Sequence, residues 1–67
     1  MATGTVTEFD DGKGWGTVAD EGGQEWFFHC TAIADGSRTI EAGTTVEFVL
    51  APGHNGRYEA RQVQPSG

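Results

Sequence analysis

Trp15 stands between two glycines in the run Lys13-Gly14-Trp15-Gly16-Thr17-Val18, so neither chain neighbour can shield its ring. A flat apolar face beside a lone cation suits a nucleotide: the base stacks on the ring and the ammonium meets the phosphate. A soluble protein gains little from exposing an indole unless something docks on it. The plainer reading makes Trp15 a core residue and the glycines turn punctuation. The choice between them depends on which residues share the face of Trp15.

Other reactive pairings carry less. Cys30 follows His29, which invites a thiol–imidazole reading. Neighbours on a regular strand point to opposite faces, however, and no third group or oxyanion donor accompanies the pair. His29 and His54 lie in separate segments without metal-ligand spacing. The Gly-rich turns match neither a phosphate-cradling loop nor a dinucleotide fingerprint. The sequence therefore predicts no enzyme, no metal and no cofactor.

The elements that must position Trp15 are short strands. Gly4 to Phe9 reads as the first, with Val6 on one face and Thr5 and Thr7 on the other. Asp10-Asp11-Gly12 turns the chain into a second, Trp15 to Ala19, where Trp15 and Thr17 oppose Gly16 and Val18. Asp20-Glu21-Gly22-Gly23 is a hairpin turn leading to a third, Gln24 to Cys30. Alternation pairs Trp26 with Phe28 and, on the other face, Phe27 with His29. Bulk assigns Trp26 and Phe28 to the core beside Val18, so Phe27 and His29 join Trp15 on the outward face. Thr31-Ala32-Ile33 suits a helical turn, with Ile33 plugging one end of a barrel.

A fourth strand alternates Val46, Phe48 and Leu50 with Glu47 and Val49. Pro-Gly and Asn-Gly turn signals lie between Ala51 and Gly56. Arg57 to Val63 is the last strand, with Tyr58, Ala60 and Val63 inward or at the rim. Five short strands without helical periodicity define an all-β domain, and closure into a barrel spares so small a chain its open edges. One domain over residues 1–67 is expected, ordered from about 3 to 64, with Pro65-Ser66-Gly67 frayed.

Composition sets limits. A 67-residue chain buries only about 60% of its unfolded surface, so its core must be efficient. The single Cys30 excludes an intramolecular disulfide. A free thiol, no apolar run long enough to span a membrane and no signal pattern in Met1-Ala2-Thr3-Gly4 point to the cytoplasm. Four Lys/Arg against ten Asp/Glu give a net charge of −6, which excludes a basic stripe for duplex phosphates. Any nucleic acid must be held mainly by base stacking, and single strands have bases free to stack.

Spacing and order over nearly the whole chain resemble the bacterial cold-shock domain proteins, five-stranded antiparallel OB-type barrels that bind single-stranded RNA and DNA. Gly4-Thr5-Val6 and Phe9 open the pattern, and Lys13-Gly14-Trp15-Gly16 falls at the family's first ribonucleoprotein motif, Lys-Gly-Phe-Gly-Phe-Ile. Phe27-Phe28-His29 falls at the second, Val-Phe-Val-His, and Thr31-Ala32-Ile33 at its Ser-Ala-Ile turn. Glu41-Ala42-Gly43, Val46-Glu47-Phe48, Gly56, Ala60 and Val63 complete it. The resemblance implies base stacking on Trp15, Phe27 and His29, a phosphate-proximal Lys13, and Phe9 as a further aromatic near that surface.

Several positions depart from the pattern. Glu8 replaces a Trp, Thr17 an aromatic, and Cys30 an aromatic often found after the His. Thr5 and Thr7 replace basic residues, and Ser37 and Arg38 lie in the loop where an aromatic is common. Trp26 and Phe28 replace inward valines, and the added rings overpack a dense barrel unless neighbours shrink or the barrel widens. Arg38, Arg57 and Arg61 are candidates for the missing cation. The expected function is single-stranded RNA or DNA binding with low sequence specificity, as an RNA chaperone. A monomer is expected, with weak dimerisation left open and no membrane partner. Glu8, Thr17 and the acidic balance favour the alternative, a diverged domain that has lost nucleic-acid binding and serves as a protein-interaction module.

Overall fold

A computed structural model describes residues 2–53 and 56–66. Its strands are β1 (Ala2–Asp10), β2 (Trp15–Asp20), β3 (Glu25–His29), β4 (Thr45–Pro52) and β5 (Tyr58–Pro65), and a 3₁₀ turn, Cys30–Ala32, follows β3. Neighbouring strands are antiparallel in the order β3-β2-β1-β4-β5. This is the expected five-stranded OB-type fold. Hydrogen-bonded closure is absent, because β3 and β5 end the order and pack together without a shared ladder. A parallel bridge from Ile33 to Val63 spans one end of that seam, and Ile33 is only 4% exposed, so it plugs the barrel as its sequence suggests.

Val6, Val18, Phe28, Val46, Phe48 and Val63 form the sealed interior, joined by Ala60 and Ile33. Two irregularities decide which side chains reach it. In β1 the register shifts between Val6 and Glu8, so Thr7 and Glu8 together oppose Thr17. Alternation from Val6 would send Phe9 outward; the extra residue resets it, and the Phe9 ring stacks on buried Phe28 at 5.8 Å. The backbones are then so close at Gly16 that a Cβ there would collide with the Glu8 carbonyl and Phe9. In β5 three residues span what two span in β4, and Gln62 takes a left-handed φ of 53°. That bulge lets both Ala60 and Val63 face inward.

The β5 ladder also outruns the expected strand. Pro65 pairs with Val46, and the Ser66 amide donates to the Thr45 carbonyl at 2.9 Å, so neither residue frays. Leu50 and Tyr58 share the inward parity of Phe48 and Ala60 but lie past the end of the core, at 37% and 55% exposure. Both are rim residues.

Trp26 differs from expectation in a way that eases the overpacking problem, leaving Phe28 as the one added ring that is fully enclosed. It opposes Val18, as the inward assignment requires, yet it is only partly buried and packs against the core from outside. The hairpin turn holds it there. Asp20 Oδ1 accepts from the Gly22 and Gln24 amides at 2.9 and 3.0 Å, and Oδ2 accepts from the Trp26 indole at 2.9 Å. The indole bond first, then the backbone amides, hold the Asp20 carboxyl below its ordinary value.

Candidate nucleic-acid interface

The β2–β3 hairpin positions the rings. Its register is regular, with Trp15 opposite His29 and Thr17 opposite Phe27. Side chains two apart on one strand share a face, so the outward residues of both strands form a single row. Trp15 and Phe27 lie 5.3 Å apart at 32°, and Phe27 meets His29 edge-on at 4.9 Å and 88°. His29 is exposed, and Trp15 and Phe27 are half-buried against each other. The structure therefore brings together the three residues expected to stack.

Gly14 fixes the start of the row. Its φ of 75° suits glycine, its amide donates to the Asp10 carbonyl at 2.7 Å, and its carbonyl accepts from the Cys30 amide at 2.8 Å. The turn is thereby fastened to the end of β3. Cys30 Sγ lies against Gly14, where an added Cβ would stand 3.3 Å away.

Phe9 and Lys13 stand differently from the rings. Phe9 turns inward onto Phe28 and shows only its margin to a cleft shared with Glu8, Asp10, Asp11, Lys13 and Trp15. Lys13 lies among carboxylates there, and its backbone amide donates to Asp10 Oδ1 at 3.0 Å. Further across the sheet the Thr7 and Thr17 hydroxyls share a 2.6 Å hydrogen bond, with no ring at either position. This side of the row is polar and acidic.

The other side is built from different residues. A groove of about 800 Å³ follows the seam, lined by Trp26, Phe27 and His29 from the β3 side and by Arg57, Tyr58 and Glu59 from the β5 side. Of the candidate cations, Arg57 borders the rings, whereas Arg61 lies 3.7 Å from Glu59. Arg38 sits in the long loop at a left-handed φ of 61°, and that loop is tied to the β1–β2 turn by Thr39 Oγ1 donating to Asp11 Oδ1 at 2.6 Å. Sequence reasoning placed Tyr58 inward or at the rim and gave it no part in the site. Its signal was a large aromatic two residues before the buried Ala60, next to the turn. His54 lies outside the described residues; among those described, no three His, Cys, Asp or Glu side chains cluster as metal ligands.

An OB-type sheet that presents rings rather than a basic stripe defines a single-strand nucleic-acid-binding module. Residues 2–66 match the family described as the 'Cold-shock' DNA-binding domain, and the chain belongs to that family. It is 48% identical over 58 residues to cold shock-like protein CspA of Stigmatella aurantiaca, covering 84% of this chain and 85% of that protein. Cold shock protein CspB of Bacillus caldolyticus is 38% identical over 65 residues, covering 96% and 98%. The fold matches the solved structure of drosophila Unr CSD456 with a TM-score of 0.79 at 27% identity, over 98% of this chain and 26% of that one. The family is nucleic-acid-binding and non-enzymatic. Among the described residues no helix is long and apolar enough to cross a membrane.

Proposed function

We propose that this domain binds single-stranded RNA or DNA by stacking successive bases on Trp15, Phe27 and His29, with little sequence preference, and acts as an RNA chaperone. The row of rings at 5.3 and 4.9 Å carries the reading. Each stacked base contributes about 1–3 kcal/mol, so affinity in the micromolar range needs only this row and a few phosphate contacts. Any base has a π-face, which keeps preference low. Binding to open strands draws RNA hairpins toward the open state by mass action, without ATP. Residues 1–67 would act as one cytoplasmic, monomeric unit. Lys13 supplies a phosphate contact weakened by its acidic neighbours, and Phe9 supports the platform from beneath through Phe28.

The test is a Trp-fluorescence titration with short oligo-dT and oligo-rU. Trp26 borders the seam groove and is not a silent reporter, so a Trp15→Phe variant must assign the signal. Saturable quenching at micromolar strand, lost in Phe27→Ala, supports the platform. A flat titration to about millimolar strand with folded protein overturns it, and the acidic cleft at Glu8, Asp10 and Asp11 then favours the protein-interaction reading with a basic partner.

A further inference from the structure

One place on the outward face of the sheet offers neither a ring nor a cation. Thr17 follows Trp15 by two residues on β2 and opposes Phe27 on β3, so it shares their face. It is half-buried and lines the groove beside Phe27 and His29. Directly opposed residues stand about 4.5–5.5 Å apart at Cβ, so the sugar of a base stacked on Phe27 reaches the Thr17 hydroxyl. Two bonds hold that hydroxyl. The Thr7 and Thr17 Oγ1 atoms lie 2.6 Å apart, and Thr7 Oγ1 donates to the Thr17 carbonyl at 3.2 Å. A hydroxyl has one proton to give, so both bonds form together only when Thr17 donates to Thr7 and Thr7 donates to the carbonyl. Both protons are then spent, and Thr17 Oγ1 presents only lone pairs. The pair is a fixed acceptor.

Of the groups a single strand carries, few suit it. No base stacks there, since neither residue has a ring. A phosphate is itself acceptor-only and is repelled by Glu8, which also opposes Thr17 in the ladder. What fits is a hydrogen-bond donor. Donors on base edges differ from base to base, and reading them would impose a sequence preference on the row. The donor that every ribonucleotide carries, whatever its base, is the ribose 2′-hydroxyl. We propose, resting on the single-strand reading above, that Thr17 Oγ1, locked by Thr7, accepts a hydrogen bond from one ribose 2′-hydroxyl, so that the domain selects RNA over DNA while staying indifferent to base. Deoxyribose sets a C–H against the same oxygen and displaces its water without replacing the bond.

The experiment varies the sugar and keeps the base. Fluorescence titrations of the full chain compare oligo-rU with oligo-dU, each of about seven nucleotides, and oligo-rU carrying a single 2′-deoxy position moved along the strand. Oligo-rU should bind about fivefold tighter than oligo-dU, the size expected of one added hydrogen bond, and one deoxy position should account for most of the difference. The isosteric Thr17→Val should bring the ratio of the two affinities to about one. Glu8→Gln should tighten both strands and leave their ratio unchanged, because its charge acts on phosphates that both carry. Affinities of oligo-rU and oligo-dU equal within about twofold, a loss spread evenly over all deoxy positions, or a preference that survives Thr17→Val overturns the ribose contact and leaves the ring row standing. Failure of both strands to bind overturns both readings.

Discussion

At Gly16, β1 and β2 approach so closely that no side chain fits between them, whereas β3 and β5, at the two ends of the strand order, share no ladder at all. Phe48 repeats the tight arrangement beside Gly4, where a Cβ would meet the Ala19 carbonyl and the Phe48 ring. The closed side fixes the fold and tolerates no added atom. The open side accepts an indole at Trp26, anchored by Asp20 rather than by enclosure, and it is where exposed Tyr58 and Arg57 come close to the rings. Stability and recognition therefore draw on different parts of one small sheet.

The contrast is broken most sharply from the closed side. Gly16→Val should cost about 3 kcal/mol or more, since the new side chain must displace the Glu8 carbonyl and Phe9, and urea denaturation should find the variant largely unfolded. A variant as stable as the parent would show that β1 and β2 are not held at this distance. On the open face, Phe27→Ala should lower single-strand affinity by about 1–3 kcal/mol while changing stability by less than about 1 kcal/mol, read by paired titration and denaturation. Equal losses in both would merge the two regions.

The hairpin turn joins the regions and should respond to pH. Asp20 has its carboxyl held below the ordinary 3.8, so its contribution is complete above that value and is lost as pH falls through the lower folded one. Asp20→Asn should lower Tm at neutral pH, and the gap to the parent should narrow progressively in melts taken at pH values below 3.8. A gap that persists in acid would assign the effect to geometry alone. The smallest change is expected at the β5 bulge: Gln62→Gly relieves a left-handed φ of 53° and should add about 0.5 kcal/mol, detectable as a higher urea midpoint.

Much of this was legible in the sequence where the strands are regular. The β2–β3 hairpin has no bulge, so counting by twos from Val18 placed Trp15, Phe27 and His29 on one face correctly. Counting by twos fails at a bulge, and composition does not mark one. That is why Phe9 turned inward rather than toward the surface, and why Val63 needs Gln62 to reach the core. Trp26 was read as enclosed because bulk alone does not reveal that its N–H would find Asp20 at the edge. The seam groove was invisible for a different reason. It joins residues far apart in sequence from strands that never pair, and no local pattern reports that.

The central claim is that rings, not charges, hold the strand, and the salt dependence of oligo-dT binding tests it most directly. With Lys13 and Arg57 as the phosphate contacts, log K against log salt should fall with a slope of about −1.5 or shallower. A slope steeper than about −3 would place the binding energy in phosphate contacts and contradict the stacking platform.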